Sequence, residues 1–67
     1  MIDRSKDNLL RLPQVQRRTG LSVPTIYRKI GLGQFPKQVK LSTHVVAWYE
    51  GDIELWVADP MGWQAAA

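Results

Sequence analysis

A chain of 67 residues has room for one domain, and at about 60 residues only about 60% of the unfolded surface is buried on folding, so the large side chains of Trp48, Trp56 and Trp63 must close a lean core. The absence of cysteine excludes a disulfide framework, a thiolate zinc site and a cysteine nucleophile, and with no apolar leader and no run of bilayer length the expected compartment is the cytoplasm, with no membrane partner. The net charge of +3 conceals an asymmetry: residues 1–44 hold nine basic and two acidic side chains, a net +7, whereas residues 45–67 hold four acids and no base, a net −4, which suits a polyanion approached from one side.

Residues 1–8 are polar and are expected to form a disordered arm, with structure beginning at Leu9-Leu10-Arg11-Leu12. Pro13 fits the first position of a helix, where its missing N–H costs nothing, and Gly20 closes that helix in the left-handed conformation. Leu12, Val15 and Thr19 share its inner face. Ser22 is placed as the next N-cap, its hydroxyl accepting from a backbone N–H of the first turn, and Pro24 is tolerated so early in a helix. A second helix is predicted from about Val23 to Ile30, with Val23, Ile26, Tyr27 and Ile30 inward, Pro24, Thr25 and Arg28 outward, and Lys29 at the edge. Two short helices joined through Thr19-Gly20-Leu21-Ser22 have the length and chemistry of a helix-turn-helix, whose second helix enters the major groove.

Gly31 to Pro36 breaks the helix and turns the chain, with Phe35 directed to the core. Val39 and Leu41 then alternate with Gln38 and Lys40, and Val45 to Tyr49 is a β-branched and aromatic run. A hairpin turning at Ser42-Thr43-His44 follows, a two-stranded wing with Lys40 and Lys37 on its outer face. It must pack on the helices, because a lone hairpin is marginal in water. The helical period returns from Glu50 to Ala58, with Ile53, Trp56 and Val57 as a core stripe and Asp52 and Glu54 near the positive end of the helix dipole. Asp59-Pro60 stops it. In the tail, residues 60–67, the period is lost, and Trp63 is open between folding back and standing exposed. The fold class expected is α+β, mainly helical: a winged helix-turn-helix over residues 9–59, built from three short helices and a two-stranded wing.

The segments Arg11-Leu12-Pro13-Gln14-Val15, Thr19-Gly20-Leu21-Ser22, Thr25-Ile26-Tyr27-Arg28, Phe35-Pro36-Lys37 and Ala47-Trp48 resemble, in this order, the AlpA family of short phage and prophage regulators, related in fold to excisionases and to the DNA-binding domain of MerR-type regulators. The resemblance implies a helix after Ser22 lying in the major groove, a wing touching the neighbouring backbone or minor groove, and a last helix packed behind. It also implies a regulator of phage transcription or an excision factor that directs an integrase. Carried over by position, Ser22, Thr25, Tyr27 and Arg28 fall on the recognition helix, and Lys37 and Lys40 on the approach to the wing. The chain departs from the family pattern at Ser42-Thr43-His44, where glycine and arginine are common, at Tyr49, where arginine is common, and at Gly51, where serine is usual. These changes weaken the wing's charge and shift binding toward the second helix and the Arg17-Arg18 pair.

Arginine forms a bidentate pair with guanine, and threonine contacts a thymine methyl, so Arg28 and Thr25 are the candidate base readers; a solvated helix surface is the competing reading. Tyr27 is either a phosphate donor or a core aromatic with a wet tip. Arg17, Arg18, Lys29, Lys37 and Lys40 suit phosphate contacts, which position the protein without specifying sequence, and Ser22, Thr43 and His44 complete the expected surface. His44 is the single histidine and cannot alone build a metal site or a catalytic dyad. Glu50, Asp52 and Glu54 are accounted for by their place at a helix start, so no catalytic residue, metal or cofactor is expected. The partner expected is double-stranded DNA, with an integrase or RNA polymerase beside it and cooperative self-association on repeated sites, since one module buries only about 600–1,000 Å² on DNA. The alternative is an adaptor or anti-repressor that holds a protein through the acidic last helix and Trp63.

Overall fold

The computed structural model describes residues 4 and 6–65. In chain order these form β1 (Leu9–Leu10), α1 (Leu12–Thr19), α2 (Val23–Gly31), β2 (Val39–Ser42), β3 (Val45–Tyr49) and α3 (Glu50–Ala58). The strands make one antiparallel sheet in the order β1-β3-β2, so the chain is a small α+β domain of three helices and three strands, as a winged helix-turn-helix requires. The third strand was not anticipated. Leu9 pairs with Tyr49 and Leu10 with Trp48, a pairing too short to show alternation in sequence, yet it puts Leu10 into the core at 5% exposure.

Local chemistry sets the helix ends. Gly20 has φ 74° and its N–H closes α1 on the Gln16 carbonyl, a conformation that costs L-residues about 1–2 kcal/mol. Ser22 is the N-cap of α2, but its hydroxyl does not cap the backbone as expected. The second helical position is Pro24, which has no N–H to offer, and Ser22 Oγ instead donates to Thr25 Oγ1 at 2.9 Å. The start of α3 is capped from a distance: Tyr49 offers no side-chain bond, while Asp7 Oδ1 accepts from the Gly51 N–H at 3.1 Å and the Asn8 carbonyl accepts from the Glu50 N–H at 2.8 Å.

Leu10, Val15, Ile26, Phe35, Trp48, Ile53 and Trp56 meet in one buried cluster, against which Leu12, Leu21, Ile30, Val46 and Trp63 pack. The two buried indoles anchor the segment between α2 and β2: Trp48 Nε1 donates to the Pro36 carbonyl at 3.0 Å and Trp56 Nε1 to the Gln34 carbonyl at 2.8 Å. Phe35 lies tilted on Trp56 at 5.0 Å. The tail returns to the same segment, with the Ala65 N–H on the Gly33 carbonyl at 3.0 Å, which settles Trp63 against the core.

Two further expectations are corrected. Val57 is not in the core stripe but 44% exposed, because Ile53 and Trp56 already fill the side of α3 that faces the sheet and α1. Lys40 is exposed but pairs with Val46; strand alternation puts Val46 on the same face as Trp48, so Lys40 extends the inner face, not the outer. The expected arm falls outside the described residues at positions 1–3 and 5, and part of the tail does at 66 and 67.

Candidate nucleic-acid interface

The turn between α1 and α2 is held by Thr19, whose hydroxyl donates to the Val15 carbonyl at 2.8 Å and accepts from the Leu21 N–H at 3.3 Å. With Ile26 fully buried and Val23 and Ile30 half-buried, α2 is locked by its inner face. Its other side presents Ser22, Pro24, Tyr27 and Arg28 exposed, and Thr25 and Lys29 half-buried. The Ser22 hydroxyl bond orients Thr25. Tyr27, expected to share the inner face, is 40% exposed, with its ring edge-on to Trp48 at 6.5 Å; the ring rests on the core and its outer half meets solvent.

Lys37, Lys40, Thr43 and His44 are exposed along β2 and the hairpin turn. Trp48, which touches Tyr27 and carries the Pro36 carbonyl, couples this wing to α2. The Arg17-Arg18 pair is divided. Arg17 is exposed, whereas Arg18 is drawn to Glu50 at 2.6 Å and lines, with Ile53, Glu54, Val57 and Ala58, a groove of about 290 Å³ beside α3.

Electrostatics separate the two halves of the surface. Among the described residues the ion pairs are Arg4 with Asp7 and Asp52, at 2.8 and 2.9 Å, and Arg18 with Glu50. Arg4 also lies 4.2 Å over the Tyr49 ring. The Gly51 N–H, followed by Arg4, holds the Asp7 carboxyl below the usual carboxylate range, and Asn8 with Arg18 does the same for Glu50. Asp7, Glu50 and Asp52 are thus occupied internally. Arg11, Arg17, Arg28, Lys29, Lys37 and Lys40 have no carboxylate within ion-pair distance among the described residues. Arg11 was not among the expected contact residues; the signal for it is that residues 8–49 contain no aspartate or glutamate at all.

Among the described residues no three His, Cys, Asp or Glu side chains cluster as a metal ion would need, and no helix is long and apolar enough to cross a membrane. The side chains exposed on or next to α2, β2 and the hairpin turn include the cations Arg28, Lys37 and Lys40 and the hydroxyls of Ser22, Tyr27 and Thr43.

The chain is 41% identical over 56 residues to an uncharacterised protein, ORF88, of Enterobacteria phage P4, covering 84% of this chain and 64% of that protein. It therefore spans somewhat under two-thirds of the phage protein's length. It is 34% identical over 64 residues to the DNA-binding transcriptional activator AlpA of Escherichia coli K12, covering 87% of this chain and 91% of that protein. No solved structure matches significantly. Residues 8–61, from β1 through the end of α3, match the family model described as prophage CP4-57 regulatory protein (AlpA), and the chain belongs to this AlpA family of prophage regulatory proteins.

Proposed function

We propose that the protein is a sequence-specific DNA-binding regulator of a phage or integrative element, acting as a transcriptional regulator, a recombination directionality factor or both. Its relative in Escherichia coli is named a DNA-binding transcriptional activator, which supports the first role. The observation that carries the reading is the acid-free run of residues 8–49, whose cations without a carboxylate partner among the described residues lie at α1, on α2 and on the wing, while Asp7, Glu50 and Asp52 are engaged by Arg4 and Arg18. In this reading α2 enters the major groove, Arg28 and Thr25 read bases, and Ser22, Tyr27 and Lys29 flank them. Arg17, Lys37, Lys40, Thr43 and His44 contact the backbone. Arg18, tied to Glu50, acts mainly by fixing α1 on α3.

The protein performs no reaction of its own in this account and works in the cytoplasm, where its DNA is. Several copies on repeated sites, or a neighbouring integrase or RNA polymerase, supply the specificity that one small module lacks. The adaptor alternative has less to stand on, since Trp63 packs against the core and Glu50 and Asp52 are in ion pairs. A gel-shift with DNA flanking the element's attachment site, run beside promoter DNA, tests the proposal. Retention of either DNA against random competitor is expected, and which one is retained assigns the role. Failure to shift any DNA would favour the adaptor.

A further inference from the structure

We infer that the groove between α1 and α3 seats a second copy of this chain, the two related by a two-fold axis so that Arg18 of each protomer reaches Glu54 of the other. The inference deepens the DNA-binding reading above, in which several copies act together, by naming the surface that joins them. α3 carries more apolar surface than its core uses. Five of the six residues from Ile53 to Ala58 are apolar, and a helix that is apolar on all sides is ordinarily buried on all sides. Only Ile53 and Trp56 of α3 are buried, whereas Leu55 is 65% and Val57 44% exposed. At 100° per residue Leu55 and Val57 fall on opposite flanks, so they do not share a patch. Val57 is the one set in a concavity: with Ile53 and Ala58 it makes the apolar part of the groove, and Arg18 and Glu54 are its two charged members.

Those two charges choose the occupant. Arg18 donates to Glu50 through one guanidinium nitrogen, and a guanidinium has further N–H groups to give. Glu54 is exposed and has no cation within ion-pair distance among the described residues. An occupant that satisfies both must bring a carboxylate and a cation beside an apolar centre, and the groove itself has that composition. In a two-fold pair residue i meets residue j while j meets i, so one geometry sets Arg18 on Glu54 twice and closes Val57 and Ala58 of one copy on those of the other.

None of the lining residues belongs to α2, β2 or the hairpin turn, so the pairing draws on none of the cations assigned to DNA. The groove is small, about 290 Å³, and the pair is accordingly a weak one, below the standard interface of about 800 Å² per partner. It forms at high concentration, or where DNA holds two copies side by side.

Charge reversal in the free protein provides the test, with no DNA present, so that its failure and that of the DNA-binding reading are separate. Sedimentation equilibrium is run up to about 1 mM protein, with a thermal melt on each variant. Wild type is expected to reach a dimer and go no further, since a two-fold interface closes. Arg18→Glu and Glu54→Arg, each alone, set like charges across the axis and should weaken association at least about tenfold. Mixed in equal amounts, the two variants should form a heterodimer of about wild-type strength, because one then carries two acids where the other carries two cations. Val57→Asp should abolish association, and Leu55→Asp, on the opposite flank, should leave it unchanged. Should Arg18→Glu melt, Glu54→Arg, which keeps the bond from Arg18 to Glu50, decides together with Val57→Asp and Leu55→Asp. A monomer at every concentration, growth past the dimer, or single variants that associate like wild type would overturn the two-fold pair. So would a mixture of folded variants no tighter than its components, or loss of association in Leu55→Asp as great as in Val57→Asp.

Discussion

Trp48 joins the core, the wing and the presented helix, and its replacement measures how far the interface depends on that junction. Trp48→Ala removes a fully buried indole, the bond from Nε1 to the Pro36 carbonyl and the edge contact that seats Tyr27. Truncating a buried tryptophan costs about 3–5 kcal/mol. A domain of this length is stable by about 3–10 kcal/mol, at roughly 0.05–0.15 kcal/mol per residue, so the variant should lose between about a third and all of its stability and unfold at a far lower urea concentration than wild type. Trp48→Phe separates the contributions. It retains most of the ring packing but leaves the Pro36 carbonyl without its donor, a loss of about 1–3 kcal/mol that the fold should survive. Urea unfolding followed by far-ultraviolet circular dichroism is the suitable assay, because tryptophan fluorescence changes with the substitution itself. A Trp48→Ala midpoint equal to that of wild type would refute the packing argument, and so would a Trp48→Phe midpoint as low as that of Trp48→Ala.

The folded-state depression of Asp7 and Glu50 means that their contribution is fully present at neutral pH and is lost as pH falls through their folded values. The melting temperature should therefore drop below about pH 4, and Asp7→Asn with Glu50→Gln should flatten that acid limb; an unchanged limb would exclude the network as its source. Ile53→Ala should cost about 2–5 kcal/mol and Val57→Ala far less, a contrast that urea midpoints check directly, since the first side chain is fully buried and the second 44% exposed. Arg17→Ala should weaken DNA binding more than Arg18→Ala in a gel-shift, because Glu50 already neutralises Arg18; the reverse order would place the α3 side of α1 against the DNA.

Much of this fold is legible in the sequence because its punctuation is local. Gly20, Ser22, Pro24 and Asp59-Pro60 mark helix ends through their own backbone preferences, and the change of period after Phe35 marks the wing. What was not legible depends on partners far along the chain. Asp7 caps α3 from 44 positions away, close enough to Gly51 that a Cβ there would stand 3.2 Å from its carboxylate. Val57 has the spacing of a core residue, but spacing gives a helix face without giving the width of the surface that covers it. Ser22 has the chemistry of a cap, but with Pro24 two positions on offering no N–H its hydroxyl bonds Thr25 instead. Of the candidate interface, the cations on α2 and the wing follow from sequence; the division between Arg17 and Arg18 arises from the Glu50 pairing, which no local pattern encodes.

A salt titration of Arg28→Ala and Lys40→Ala, on a selected site and on random DNA, decides whether α2 reads sequence while the wing supplies charge. Arg28→Ala should lose about 1–3 kcal/mol on the selected site and much less on random DNA, so that discrimination falls. Lys40→Ala should weaken both alike and flatten the slope of log affinity against log salt by about one unit. If Arg28→Ala instead lowers both affinities equally and Lys40→Ala removes the discrimination, the wing is the reader and α2 is not.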